Sequence, residues 1–125
     1  MKRTVIMLLC AAVCIVAAAA SAKPKSFVVN TAKSGKNVMG FAGTTPVEIT
    51  VTDGVIEKVV ALPNQETPDY FKKVQDSPIF TKLLGKTPQE ASEIQLDAVS
   101  GATFSSKAVI ENIRIGLKEA VKKAK

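Results

Sequence analysis

The chain has no histidine and no tryptophan, a single tyrosine, and only two cysteines, Cys10 and Cys14, both inside an apolar run near its start. Each shortage removes a class of chemistry. Without histidine, the commonest general base at neutral pH and the commonest nitrogen ligand for metals are missing. Beyond Cys14 there is no thiol, so a disulfide framework, a thiolate zinc site and a cysteine nucleophile are all excluded there. Carboxylates and carbonyls are the metal ligands that remain, and no acidic cluster has the spacing of a calcium loop. No metal site is therefore expected, and with no convincing carboxylate pair the sequence does not read as a substrate-converting enzyme. Basic residues outnumber acidic ones, 17 to 11. Yet there is no arginine-rich stripe interleaved with aromatics, which argues against nucleic acid as a partner.

What is present begins with "MKR", the apolar run "TVIMLLCAAVCIVAAAA" and the small residues "ASA". These are the three parts of a secretory signal peptide, and the crowding of Ala20, Ser21 and Ala22 favours cleavage over retention as an anchor. Residues 1–22 are expected to be removed, which makes the protein exported, to the periplasm or the cell surface. Leu9 and Val13 are the wrong neighbours for lipid attachment at either cysteine. The remaining chain of about 100 residues suits one domain with one core. Its basic excess gathers in "KPK" and "KEAVKKAK" at the ends, which reads as solvated surface or as a contact with anionic envelope polymers.

Residues 23–37 read as a leader and 38–125 as the domain. Val47, Ile49 and Val51 alternate with Glu48, Thr50 and Thr52, the period-two signature of a half-buried strand. Asp53-Gly54 then precedes a second β-branched run from Val55 to Leu62, and such a dipeptide between two strands predicts a hairpin with a type I′ turn. Pro68 and Pro78 each stand where a short helix could begin, the second ending near Gly85. From Ser106 to about Lys123, apolar residues at helical spacing, including Ile110, Ile113, Leu117 and Ala120, predict a helix that packs on the sheet. The expected class is α+β: an antiparallel sheet with a hairpin, short helices and a C-terminal packing helix.

Between the short helices and the last one lies "DAVSGATFSS", residues 97–106. In its plain reading this is a loop with a helix cap: Ser105 or Ser106 caps the helix, Gly101 permits a tight turn and Asp97 caps the loop. The same residues also suit an anion. A helix N-terminus with free N–H groups attracts negative charge, Gly101 and Ala102 allow a phosphate to approach the backbone, and Ser100, Thr103, Ser105 and Ser106 supply hydroxyls. The lysine and spacing of a nucleotide P-loop are lacking, so nucleotide hydrolysis is not indicated.

"DAVSGAT", Asp97 to Thr103, resembles the flavinylation motif D-x-x-[ST]-G-A-T of the FMN-binding domain family, the domain of the NqrC and RnfG subunits of sodium-pumping and related redox complexes and of small extracytoplasmic flavoproteins. Its five fixed positions would arise by chance on the order of once in several thousand sequences of this length. "GFAG", residues 40–43, is similar to the family's opening G-[YF]-x-G, the D-G hairpin follows as in the family, and "ETP", residues 66–68, matches its E-T-P segment. Asp69 stands where many members have glycine.

The resemblance implies FMN joined through its phosphate to the Thr103 hydroxyl by an ApbE-type flavin transferase. It implies that Asp97 matters for modification, that Ser100, Gly101 and Ala102 present the threonine, and that hydroxyls and N–H groups of Ser105 and Ser106 hold the phosphate. Glu66 and Thr67 become contacts for the polar side of the isoalloxazine or, alternatively, helix caps. Met39, Phe41 and Phe104 become ring contacts or, alternatively, core. An exported electron carrier with membrane-associated redox partners is thus expected. FMN held without an ester, and a colourless binding or adaptor module, are the alternatives.

Overall fold

The computed structural model describes residues 25–124. The expected signal segment, 1–22, lies outside the described residues. Three strands, β1 (Ser26–Asn30), β2 (Val47–Thr52) and β3 (Val55–Ala61), form an antiparallel sheet with β2 in the centre. Residues 26–30, expected as part of a leader, are thus the edge strand β1, with Asn30 opposite Glu48 and Ser26 opposite Thr52. The β2–β3 hairpin turns at Asp53 (φ 52°) and Gly54 (φ 84°), the positive values that a type I′ turn requires.

Alternation in β2 buries Val47, Ile49 and Val51. In β3 it would fail, because the two core residues, Ile56 and Val59, are three apart. A register shift resolves this: Thr50 faces Lys58 while Val51 faces Ile56, leaving Glu57 as the extra residue. Such a bulge resets the pleat, so both apolar side chains reach the same face.

Helix α1 (Pro68–Gln75) starts at its proline as expected, and buries Phe71 and Val74. The helix expected after Pro78 shortens to a 3-10 turn, Pro78–Phe80, followed by further turns. The physical reason is competition for backbone partners. The Gly85 N–H donates to Ile56 O at 2.9 Å and the Ile56 N–H to Lys86 O at 2.8 Å, so this segment pairs with the start of β3 instead of extending a helical ladder. Gly85 closes it at φ 79°, as the sequence suggested. The third proline of this region opens a further short helix, α2 (Pro88–Ser92), with Thr87 and Glu90 forming a reciprocal capping box.

The long helix α3 runs from Thr103 to Ala124, 22 residues. It begins three residues before the expected Ser106, so Ser105 and Ser106 do not cap it but occupy its third and fourth positions. Both are buried. Gly101, at φ 83°, turns the chain into the helix, with the Ala102 N–H bonded to Val99 O at 3.0 Å. The core lies where α3 crosses the sheet, with Val109, Ile113, Leu117 and Ala120 meeting Val29, Val47 and Ile49 among others.

Two residues fix this crossing. At Gly116 a Cβ would lie 2.9 Å from Ile49 Cδ1 and 3.1 Å from Thr31 Cγ2, so glycine lets the helix approach the sheet despite a propensity cost of about 1 kcal/mol. Asn112, fully buried, accepts from the Thr31 hydroxyl at 2.9 Å and donates to Ala108 O at 3.0 Å and Thr45 Oγ1 at 3.3 Å. Thr31 Oγ1 in turn accepts from the Val47 N–H at 2.9 Å. Helix, loop and central strand are thus joined by one satisfied polar network. Asn112→Ala leaves Thr31 and Thr45 short of a partner, and unfolding in urea is expected to show a loss of about 2–3 kcal/mol. The loss should be non-additive with Thr31→Val, because the two residues share one network.

Candidate functional site

The first turn of α3, helix α1 and the loop at residues 39–44 meet at one end of the molecule. The loop is a tight excursion: Met39 bridges to Thr44 and the Gly40 N–H donates to Gly43 O at 2.7 Å. Its apolar residues point outward. Phe41 is 68% exposed and Met39 62%, and beyond the loop Phe104 is 69% and Tyr70 47% exposed. Isolated exposed apolar residues are ordinary, but a cluster this size at one end of a small domain marks a surface made to be covered. The expectation that Met39, Phe41 and Phe104 could serve the core is therefore corrected: none of them packs there.

Phe41 and Phe104 lie with ring centroids 6.5 Å apart and planes tilted by 36°. With Tyr70, Lys73, Gly101, Ala102 and Ser105 they line an open groove of about 380 Å3. The Lys73 ammonium sits 5.7 Å from the centre of the Tyr70 ring. Thr103 is exposed as the first residue of α3 and follows directly on the groove-lining Ala102. A helix leaves its first N–H groups without helical acceptors, so this end of the groove offers donors and a partial positive charge.

Glu66 lies behind this arrangement, outside the groove lining but bonded to Phe41 and Ser105. It is only 5% exposed. Its carboxylate accepts the Phe41 N–H at 2.7 Å, the Ala42 N–H at 2.6 Å and the Ser105 hydroxyl at 2.6 Å. Burial alone would push the carboxyl up, but the hydrogen bonds from Ser105 and from the backbone of Ala42, Phe41 and Gly43 outweigh it and hold the group below its ordinary value. A Cβ at Gly40 would overlap Glu66 Oε1, which explains glycine at the start of the loop. Glu66 thus ties loop 40–43, the lead-in to α1 and the first turn of α3 together.

The expected site residues divide accordingly. Gly101, Ala102, Thr103, Ser105 and Glu66 converge at this end of the molecule. Ser105 does so with its hydroxyl turned down to Glu66, and the Ser106 hydroxyl accepts the Val99 N–H at 2.9 Å and donates to Thr103 O at 3.2 Å. These two hydroxyls are therefore engaged in holding the turn. Ser100 is exposed on that turn, outside the groove lining. Thr67 is the exposed N-cap residue of α1, with no side-chain cap bond. Asp97 is exposed and lines a separate small cavity of about 80 Å3 with Pro78, Ile79, Lys82 and Leu96. Tyr70 and Lys73 line the groove without being singled out by the sequence. They stand three apart on α1 and so share a face, but nothing in the local sequence distinguishes that face from a solvated one.

Among the described residues no group of three or more His, Cys, Asp or Glu could hold a metal ion. The groove instead combines aromatic walls, a cation and a helix N-terminus, a donor set that suits a planar aromatic ligand carrying an anionic tail. Comparison with known proteins agrees. The family model described as the FMN-binding domain matches residues 40–123, about two thirds of the chain. No curated protein and no solved structure gives a significant match.

The Glu66 clamp has a pH signature. Its folded value lies below the unfolded one, so the unfolded chain binds the proton more readily, and stability rises with pH across that window. The contribution is complete at neutral pH and is lost as pH falls below about 4.3 and through the folded value. Glu66→Gln is expected to lower stability at pH 7 by about 1–3 kcal/mol, with the difference from wild type shrinking at pH 3. Urea midpoints at the two pH values check it, and a difference that does not change between them contradicts the assignment.

Proposed function

The chain belongs to the FMN-binding domain family, and from that premise we propose that it is an exported electron-transfer flavoprotein whose FMN is esterified through its phosphate to the Thr103 hydroxyl. FMN is the cofactor of the family's domain, so flavin binding follows from membership. The observation that carries the finer reading is the position of Thr103: exposed, first in α3, and reached by a positive-φ turn at Gly101 beside the aromatic groove. A transferase must reach that hydroxyl from outside, and the exposure of residues 103 and 104 is consistent with such access.

When bound, FMN supplies the redox chemistry that the side chains of this protein lack. The protein's part is to hold and to shield. Phe41, Phe104 and Tyr70 would cover the ring faces, the first-turn N–H groups of α3 would face the phosphate, and Glu66 would keep the loop closed behind Phe41. An ApbE-type flavin transferase is the modifying partner in this reading. The donor and acceptor of electrons are membrane-associated proteins of the envelope, a reading supported by the signal-like start of the sequence. Attachment outside the cytoplasm has a simple rationale, since cofactor lost there is not readily replaced.

Intact mass tests the ester. Protein exported from a host that carries a flavin transferase should gain the mass of FMN less one water on the peptide containing Thr103, and should stay yellow after denaturation. Thr103→Ala should reduce the covalent flavin to background while leaving the urea midpoint unchanged, because the side chain is exposed. Equal covalent flavin in wild type and variant excludes Thr103 as the attachment point.

A further inference from the structure

The two serine hydroxyls nearest the attachment point are turned into the protein, so the phosphate's counter-charge has to come from elsewhere. Lys73 is the cation that lines the groove. Its Nζ lies so close to the turn that a Cβ built at Gly101 would stand 2.9 Å from it. Gly101 therefore answers two demands at once: a φ of 83° and room for the ammonium. Among the described residues the one ion pair is Lys72 with Asp76, on the neighbouring position of the same helix. Lys73 has no carboxylate partner among the described residues, and its ammonium lies over the face of Tyr70, which also lines the groove.

Two independent sources of positive character thus converge on one turn, the Lys73 ammonium from α1 and the exposed N-terminus of α3. That pair is the chemistry of a phosphate site. Resting on the flavin reading above, we propose that Lys73 is the phosphate-binding residue of the groove and makes it selective for phosphorylated flavin over riboflavin. The lysine acts before and after esterification alike. It draws the anionic end of the ligand to the turn that presents Thr103, and afterwards it neutralises the charge left on the phosphodiester. The isoalloxazine is left to the aromatic walls, which do not distinguish FMN from riboflavin.

The test removes the ester and reads the groove alone. Full-length exported Thr103→Ala protein, free of flavin, is titrated with FMN and with riboflavin, following quenching of flavin fluorescence. FMN is expected to bind about tenfold more tightly than riboflavin, the effect of one charge-assisted hydrogen bond, with the preference falling as salt is raised. Adding Lys73→Met should abolish the preference by weakening FMN alone, Lys73→Arg should retain most of it, and Lys107→Met, one turn along α3 and outside the groove, should leave it intact. An FMN-to-riboflavin ratio unchanged by Lys73→Met overturns the inference, as does an equal loss for both ligands, which would place the lysine at the ring. Failure of the Thr103→Ala protein to bind either flavin overturns it too. The mass measurement on wild type stands apart from these titrations: esterified wild type with an indifferent Lys73 defeats the inference and leaves the flavin reading standing.

Discussion

The hydrogen bonds to Glu66 are the constraint on which the candidate site depends. One buried carboxylate gathers donors from residues 41, 42 and 105, which come from two segments far apart in the chain. A buried charge is costly unless it is fully hydrogen-bonded, and here the hydrogen bonds that offset the cost also fix the geometry. The Phe41 ring can stand exposed beside Phe104 because the backbone beneath it is held by an acceptor that cannot relax outward. The clamp also accounts for Gly40, whose missing side chain leaves the loop room to close on the carboxylate.

A second polar anchor lies two helical turns away, at Asn112. Its amide binds α3 to Thr31, just after β1, and to Thr45, just before β2, while Gly116, one turn further, brings the helix down on Ile49. The two anchors divide the labour along one helix. Asn112 and Gly116 set where α3 lies on the sheet, and Ser105 with Glu66 sets where its first turn ends up relative to the loop and α1. A long helix is stiff, so an error at the sheet would be carried to the groove. This is why polar groups with strict geometric demands occur at both places instead of apolar packing, which tolerates more repositioning.

The sequence made some of this legible and concealed the rest for physical reasons. The hairpin was readable because its turn chemistry and its alternation are local properties of residues 47–62. The bulge at Glu57 was not, since it follows from a requirement shared by two strands. The start of α3 is not legible because serine is a common cap, whereas here Ser106 reaches back to Val99 from within the helix. The edge strand β1 hid because its three consecutive apolar residues, Phe27, Val28 and Val29, show no period-two alternation. At the site, the motif at 97–103 could be read from residue types alone. The contributions of Tyr70 and Lys73 could not, because they depend on how α1 docks against the turn at Gly101 some thirty residues later in the chain.

The character of the groove bears on why an ester would be useful. Phe41, Phe104 and Tyr70 present broad aromatic faces, but the groove is open to solvent and offers few fixed polar contacts. Affinity from such a surface is limited, because covering an exposed ring on one side recovers only part of its burial energy and the ligand gives up its translational freedom. The proposed tether at Thr103 would remove that entropic loss from every subsequent encounter, since binding of the ring would become intramolecular at a high effective concentration. The groove then needs to orient the ring without enclosing it. In the proposed reading an open groove would suit an electron carrier, whose cofactor edge must be approached by partner proteins, and a covalent bond would let an open groove keep its ligand.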